Sequence, residues 1–323
     1  MDTSWIEDGP ADGPLMIFLH GWPERGFMWR AQLSHFAARG WRCVAPDMRG
    51  YGSSVVPADT SAYAQREIVA DMVALHDALG GPPAVWVGHD WGSPVVFSLA
   101  AHHAARCRAV VSLCVPYLPQ GFALANLVPL VDRDLYPEAR FPDGQWGYYR
   151  WYTADFDRAV SDFEASVPNL VKLMFRPGHP GTVGRPSRSA DVVPNDGWFG
   201  PARQALDLGD DQLLLSPEEF TATVAGLTRA GFRGPCAWYV NDEANMAYAS
   251  SAPRGGHLAM PVLFIHATYD AVCDTVHSAL ADPMRAACTS LTEDTINAGH
   301  MVMLEKPDEV NHAIATWLRA AAL

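Results

Sequence analysis

Ala84-Val85-Trp86-Val87-Gly88-His89-Asp90-Trp91-Gly92-Ser93 is the stretch that decides the fold. Four apolar residues suit a short buried strand, and the run Pro94 to Ala101 that follows suits a helix. Between them Gly88-His89-Asp90-Trp91-Gly92 has the small–X–nucleophile–X–small pattern of a sharp strand-to-helix turn, a nucleophile elbow. Glycine suits the flanking positions because such a turn leaves no room for Cβ atoms. The residue at the tip sets the chemistry. A serine there attacks acyl carbons, whereas a carboxylate attacks saturated carbon and leaves an alkyl ester that water must cleave.

Working outward, strands are predicted at Leu15–Leu19, Trp41–Ala45, Ala84–Val87, Ala109–Val115 and Pro261–His266, with a weaker one at Thr292–Ile296. Most are continuous apolar runs, as expected of a parallel sheet covered on both faces. Helical patterns at Phe27–Arg39, Gln65–Leu79, Ser93–His103 and Pro307–Ala321 alternate with them, which predicts an α/β doubly wound sheet. The alternation breaks between Tyr117 and His257. That aromatic-rich stretch predicts helices at Tyr148–Asp155, Arg158–Phe175 and Pro217–Ala230, and a Pro/Gly-rich loop from Arg176 to Pro201. It reads as an inserted helical cap over 118–258, with 1–117 and 259–323 forming the core. The loop shows no apolar periodicity by which to bury itself and is expected to be the mobile part of the lid.

The bulk properties narrow the field. The 323 residues are 49% hydrophobic and 18% charged, which predicts an ordinary globular chain with a full core. A net charge of −13 with no Lys/Arg block argues against nucleic acid and anionic membrane surfaces as partners. The first eight residues lack the basic and apolar regions of a secretion signal, and no apolar run approaches membrane-spanning length. The six cysteines form no close pair and no metal-finger spacing, which predicts reduced thiols in a cytoplasmic protein with no metal and no cofactor. No feature specifies an oligomeric state.

Downstream of Asp90 the order nucleophile, acid, histidine is completed. The strand Pro261–His266 runs into Ala267-Thr268-Tyr269-Asp270, with Asp274 a weaker rival further from the strand, and Asn297-Ala298-Gly299-His300 precedes the last helix. In that arrangement Asp270 orients His300, and His300 deprotonates the water that cleaves the Asp90 ester. The segment Phe18-Leu19-His20-Gly21-Trp22-Pro23 turns sharply after its strand. The backbone N–H groups of Trp22 and Trp91 are predicted to share the oxyanion. A cis bond is expected before Pro23. His20 reads as a hydrogen bonder of the turn, and Asp47-Met48-Arg49-Gly50-Tyr51-Gly52-Ser53 as a structural turn rather than a phosphate loop, since it lacks the lysine. Trp22, Trp91, Trp151 and Met301 adjoin the site residues and predict an apolar pocket.

On these motifs the chain resembles an epoxide hydrolase of the α/β-hydrolase fold. His20-Gly21-Trp22-Pro23, Arg49-Gly50-Tyr51-Gly52-Ser53, Gly88-His89-Asp90-Trp91-Gly92 and Gly299-His300 carry the likeness, which spans nearly the whole chain. The resemblance implies a small-molecule epoxide and water as reactants. It also implies two cap tyrosines that donate hydrogen bonds to the epoxide oxygen. Tyr148-Tyr149-Arg150-Trp151-Tyr152 matches the first segment, with Tyr152 the best match and Tyr148 or Tyr149 as alternatives; Trp238-Tyr239-Val240-Asn241 gives Tyr239. The family carries a strand ahead of the one ending at His20, and the fourteen residues before Leu15 leave its presence open. A haloalkane dehalogenase, which shares the Asp–His–acid chemistry, is the nearest rival, and a non-catalytic ligand-binding relative is a remote one.

Overall fold

The computed structural model describes residues 3–323. Seven strands, β1 (Trp5–Asp8), β2 (Leu15–Leu19), β3 (Arg42–Pro46), β4 (Ala84–His89), β5 (Cys107–Leu113), β6 (Leu258–Ala267) and β7 (Cys288–Ile296), form one sheet in the order β1-β3-β2-β4-β5-β6-β7. Every pairing is parallel except that of β1 with β3. β2, β4 and most of β5 are wholly buried, as their unbroken apolar runs require.

β1 resolves the open question at the N-terminal edge. It is a four-residue antiparallel strand with all of its residues exposed, so it has neither the length nor the apolar pattern of its neighbours. A charged, very short edge strand is one way a sheet avoids pairing with other chains.

Register explains why distant motifs meet. The chain runs from β2 outward to β3 and returns to β4 on the other side of β2, so strand order reverses between β2 and β4. Crevices outside the carboxyl ends of strands at such a switch point collect ligands. Leu19 pairs with Gly88, His89 with Leu113, Leu113 with Ile265 and Ala267 with Ile296. The ends of β2, β4, β6 and β7 are therefore level, and the segments that leave them share one rim.

Each regular element between β5 and β6 is helical, the longer ones being Gly147–Ala154, Phe156–Glu164, Val167–Met174, Pro217–Ala230 and Asp242–Ser250. The single helix expected over Arg158–Phe175 is two. The chain breaks at Ser166, which leaves the helical region at φ −154° and ψ 81°, and restarts with Pro168 in the first turn. Proline suits that position because its missing N–H would be unpaired there anyway.

The loop Arg176–Pro201 is less free than its composition predicts. Exposure falls mainly in two runs, 179–186 and 193–196, while Ser189, Ala190, Val192 and Gly197 are buried. Its glycines explain this. A Cβ on Gly178 would lie 2.3 Å from Gly299 N, and one on Gly197 would lie 2.8 Å from the Trp151 ring, so bare backbone lets the loop dock closely on both core and cap. Glu305 adds a clasp by accepting from the N–H groups of both Gly178 and Gly299.

At the elbow, Asp90 has φ 48°, a strained value for a residue with a side chain. A Cβ on Gly92 would stand 2.2 Å from Leu19 O and 2.9 Å from His20 O. Neither backbone oxygen can move without disturbing β2. Gly92→Ala should therefore destabilise the fold by about 1–3 kcal/mol, the usual cost of overpacking, read as a lower midpoint of chemical denaturation. An unchanged midpoint would show that the elbow and β2 are not in the tight contact described.

Candidate active site

Asp90 is held from two sides. Its Oδ1 accepts the Trp22 N–H at 2.5 Å, and its Oδ2 lies 3.2 Å from His300 Nε2. The Trp22–Pro23 bond that closes this turn is cis. A Cβ on Gly21 would lie 2.2 Å from Asp90 Oδ1 and 2.5 Å from Trp91 N, so the bare Gly21 backbone sits directly against the elbow. Trp91 N–H is on the same side but makes no hydrogen bond to the resting carboxylate among the described residues.

His300 Nδ1 lies 2.6 Å from Asp270 Oδ2. The other Asp270 oxygen accepts from the N–H groups of Val272 and Cys273 at 3.0 and 2.9 Å, which fixes the carboxylate plane. Asp274, the rival acid, instead caps its own turn by accepting from Val276 and His277. Burial would raise the Asp90 and Asp270 carboxyls. For both, His300 outweighs it through charge and hydrogen bonding, with backbone N–H groups adding to the effect, and holds them below the ordinary carboxylate range. Burial would likewise lower His300, but Asp270 first and Asp90 second hold it well above the usual imidazole value.

Beneath this constellation lies a second imidazole–carboxylate pair that the sequence reasoning did not single out. His89 is fully buried, with Nδ1 2.6 Å from Glu24 Oε1 and Nε2 2.7 Å from the carbonyl of His300. His89 thus ties the elbow to the backbone of the His300 loop. His20 behaves as expected of a turn residue. Its Nε2 accepts from Met48 N–H at 2.8 Å, which leaves Nδ1 to donate to Gly21 O at 2.9 Å. Burial lowers its pKa and favours that neutral ring. The Asp47–Ser53 turn braces this histidine from below, with Tyr51 edge-on to it at 4.9 Å.

Above Asp90 is a cavity of about 170 Å³. Asp90, His300 and the phenols Tyr148, Tyr152 and Tyr239 line it, and Trp22, Pro23, Met174, Trp198, Val272, Cys273 and Met301 complete the wall. The Tyr152 and Tyr239 ring centres are 4.7 Å apart, and Tyr148 is 5.7 Å from each. Burial, and to a lesser degree the charge of Asp90, pushes all three phenols well above their ordinary range, so they remain proton donors at neutral pH.

Tyr149 is outside this group because its hydroxyl is taken by Asp242 in the cap. Helix geometry explains the division. Tyr148 and Tyr152 are four residues apart on Gly147–Ala154 and share a face, whereas Tyr149 and Trp151 point elsewhere.

The same geometry corrects the expected pocket. Trp22 and Met301 line it, but the side chains of Trp91 and Trp151 do not. Trp91 packs among Phe122, Tyr149, Trp238 and Tyr239, and Trp151 packs on Gly197. On the helices after Asp90 and before Tyr152, the next residue along points to a different face, whereas Met301 in the loop beside His300 still reaches the cavity. Met174, Trp198, Val272 and Cys273 went unpredicted, since they come from loops and helix ends with no motif. The cysteines follow expectation: all six, Cys273 of the cavity wall included, are free and buried. No helix among the described residues is long and apolar enough to cross a membrane.

A family model described as α/β hydrolase fold matches residues 14–307. Epoxide hydrolase A of Mycobacterium tuberculosis is 31% identical over 326 residues, covering 98% of this chain and 94% of that protein. Bifunctional epoxide hydrolase 2 of Sus scrofa is 30% identical over 311 residues; the match takes in 96% of this chain and 52% of that longer protein. The crystal structure of epoxide hydrolase A from Mycobacterium thermoresistibile has a TM-score of 0.77 at 26% identity, covering 98% of this chain and 94% of that one.

Two carboxylates sustain the raised His300 pKa, so removing one should lower it. Asp90→Asn keeps the shape and deletes the charge; an NMR titration of the His300 ring should then show a pKa clearly below that of the parent protein. An unchanged value would mean that Asp270 alone sets it.

Proposed function

This chain belongs to the α/β hydrolase fold family and, within it, to the epoxide hydrolases, and we propose that it opens a compact apolar epoxide through an Asp90 ester to give a vicinal diol. The observation that carries this reading is one carboxylate, Asp90, facing phenols across an apolar cavity. A carboxylate alone is enough to displace a good leaving group. A strained ether has a poor one, and needs hydrogen-bond donors at its oxygen as the C–O bond breaks.

In the first step Asp90 Oδ2 attacks an epoxide carbon. The C–O bond breaks, its electron pair passes to the epoxide oxygen, and that oxygen takes its proton from the Tyr152 and Tyr239 pair. Oδ1, already bonded to Trp22 N–H, becomes the ester carbonyl. Esterification cancels the Asp90 charge. His300 thereby loses one of the two carboxylates that favour its protonated form, and its pKa falls. Neutral His300, held by Asp270, then takes a proton from water as the water oxygen attacks the ester carbon. The oxyanion that forms on Oδ1 is met by the N–H groups of Trp22 and Trp91. Collapse breaks the bond between the ester carbon and the substrate oxygen, which takes the proton of the new carboxyl, so the diol leaves and Asp90 is regenerated as a carboxylate. The proton that His300 gives up on esterification restores the phenol that ring opening deprotonated. No step calls for a cofactor or a metal.

The cavity size bears on the substrate. At about 170 Å³ it is close to the roughly 150 Å³ that accommodates a benzene ring in an engineered protein cavity. Apart from Asp90 and His300 its wall carries no ionisable group other than the phenols and the Cys273 thiol. That favours a neutral epoxide bearing one ring or a short chain. Six buried free thiols suit a reducing compartment such as the cytoplasm. Halide release would leave the phenols without a task, and no observation favours it.

The test is to trap the ester. His300→Gln enzyme mixed with styrene oxide should gain the mass of the whole epoxide, localised to the peptide containing Asp90. With Tyr152→Phe and Tyr239→Phe added, ester formation should slow by about 10²–10⁴-fold, a general acid's share of the rate. Turnover by the parent enzyme without an adduct in His300→Gln would contradict the two-step scheme, and an adduct formed at full rate without the phenols would contradict their role.

A further inference from the structure

The loop Arg176–Pro201 brings one polar group to the cavity wall for which the two steps above have no use. Trp198 Nε1 lies 2.8 Å from the Tyr152 hydroxyl, and both residues line the cavity that holds Asp90. An indole N–H can only donate, so the Tyr152 oxygen must be the acceptor. A phenol has a single hydrogen, and that hydrogen is consequently directed away from Trp198. Tyr152 is fully buried, and no carbonyl or carboxylate among the described residues accepts from it. The side left open to its O–H is the cavity. Tyr239, the other phenol of the pair, receives no such N–H among the described residues.

We infer that Trp198 is a positioning residue for ring opening. Its N–H turns the Tyr152 O–H toward the epoxide oxygen and makes Tyr152 the stronger donor of the pair. This rests on the reading of Tyr152 as a donor to that oxygen. Two effects act together. The bond removes the rotational freedom of the hydroxyl and polarises its O–H, since chained hydrogen bonds reinforce one another. As the proton moves to the epoxide oxygen, negative charge grows on the Tyr152 oxygen, and the N–H bond strengthens there. An interaction stronger in the transition state than in the ground state accelerates the step.

The indole is itself held in place. Asp196 accepts from Arg158 at 2.6 Å through its carboxylate and at 2.8 Å through its carbonyl. Gly197, at φ 111°, packs on the Trp151 ring. Trp151 precedes Tyr152 on the helix Gly147–Ala154, so one contact registers the loop on the helix that carries the phenol. Tyr148 flanks the indole at 5.6 Å.

Rapid-quench kinetics with styrene oxide, resolving ester formation from ester hydrolysis, test this in the parent enzyme, Trp198→Phe, Tyr152→Phe and the double variant. Trp198→Phe should slow ester formation at saturating substrate about five-fold, the worth of one neutral hydrogen bond, and leave ester hydrolysis unchanged. In the Tyr152→Phe background it should add nothing. An undiminished effect in that background, or equal slowing of both steps, would overturn the inference by showing that Trp198 merely supports the fold. If Tyr152→Phe slows ester formation while Trp198→Phe does not, the inference fails and the reading of Tyr152 survives. If Tyr152→Phe itself has no effect, both fail. Should phenylalanine loosen the loop, as seen by thermal melting, Trp198→3-benzothienylalanine keeps the indole shape without the N–H and is read by the same criteria.

Discussion

Asp90 must stand at φ 48° between the end of β4 and the start of the helix Gly92–His102, and the remaining features of the site are arranged around that strained residue. The turn exists only because three neighbours lack side chains. Gly88 lets the helix start fold back on the strand, Gly92 lets it press on the end of β2, and Gly21 lets the next turn close over the carboxylate. Strain of this kind persists where the surroundings over-determine it. Here it lifts one carboxylate above the sheet rim at the point where strand order reverses, level with the ends of β2, β6 and β7.

Once the carboxylate is fixed, electrostatics dictates what must surround it. Asp90 and Asp270 are two acids in a poorly solvated region, and unpaired they would be costly to keep ionised. His300 is the group that answers both, while the buried Glu24 is hydrogen-bonded to His89. His300 is shared between two carboxylates and is held strongly basic while both are charged. In the proposed cycle that basicity lasts only until one carboxylate becomes an ester. The same imidazole thus serves first as a charge partner and then as a base, with no movement of the chain. The phenols above obey the same rule in reverse, since burial keeps them protonated and therefore able to donate.

What was legible in the sequence follows from how locally each feature is encoded. The elbow, the His20–Pro23 turn, Asp270 and His300 sit at strand ends, and strand ends announce themselves through apolar runs and glycines. Tyr239 came only through the resemblance of Trp238-Tyr239-Val240-Asn241 to the epoxide hydrolases. β1 was not legible, because four exposed residues carry no hydrophobic periodicity. The break at Ser166 was signalled by Pro168, but the continuous helical pattern masked it. Trp151 was misplaced because a helix turns by about 100° per residue, so the neighbour of a cavity residue faces elsewhere. Trp198 and Cys273 could not be found at all. They reach the cavity from loops whose path depends on close backbone contacts such as Gly178 against Gly299, and no periodicity records those.

The central claim is that an oxygen of Asp90, and not of water, forms the new bond to the substrate carbon. A single turnover in ¹⁸O-labelled water, with enzyme in excess over the epoxide, tests it most directly. The account predicts that the diol from this first turnover carries no label and that one ¹⁸O appears in the peptide containing Asp90. Label in the diol, with Asp90 unlabelled, would mean that water attacks the epoxide directly, and would contradict it.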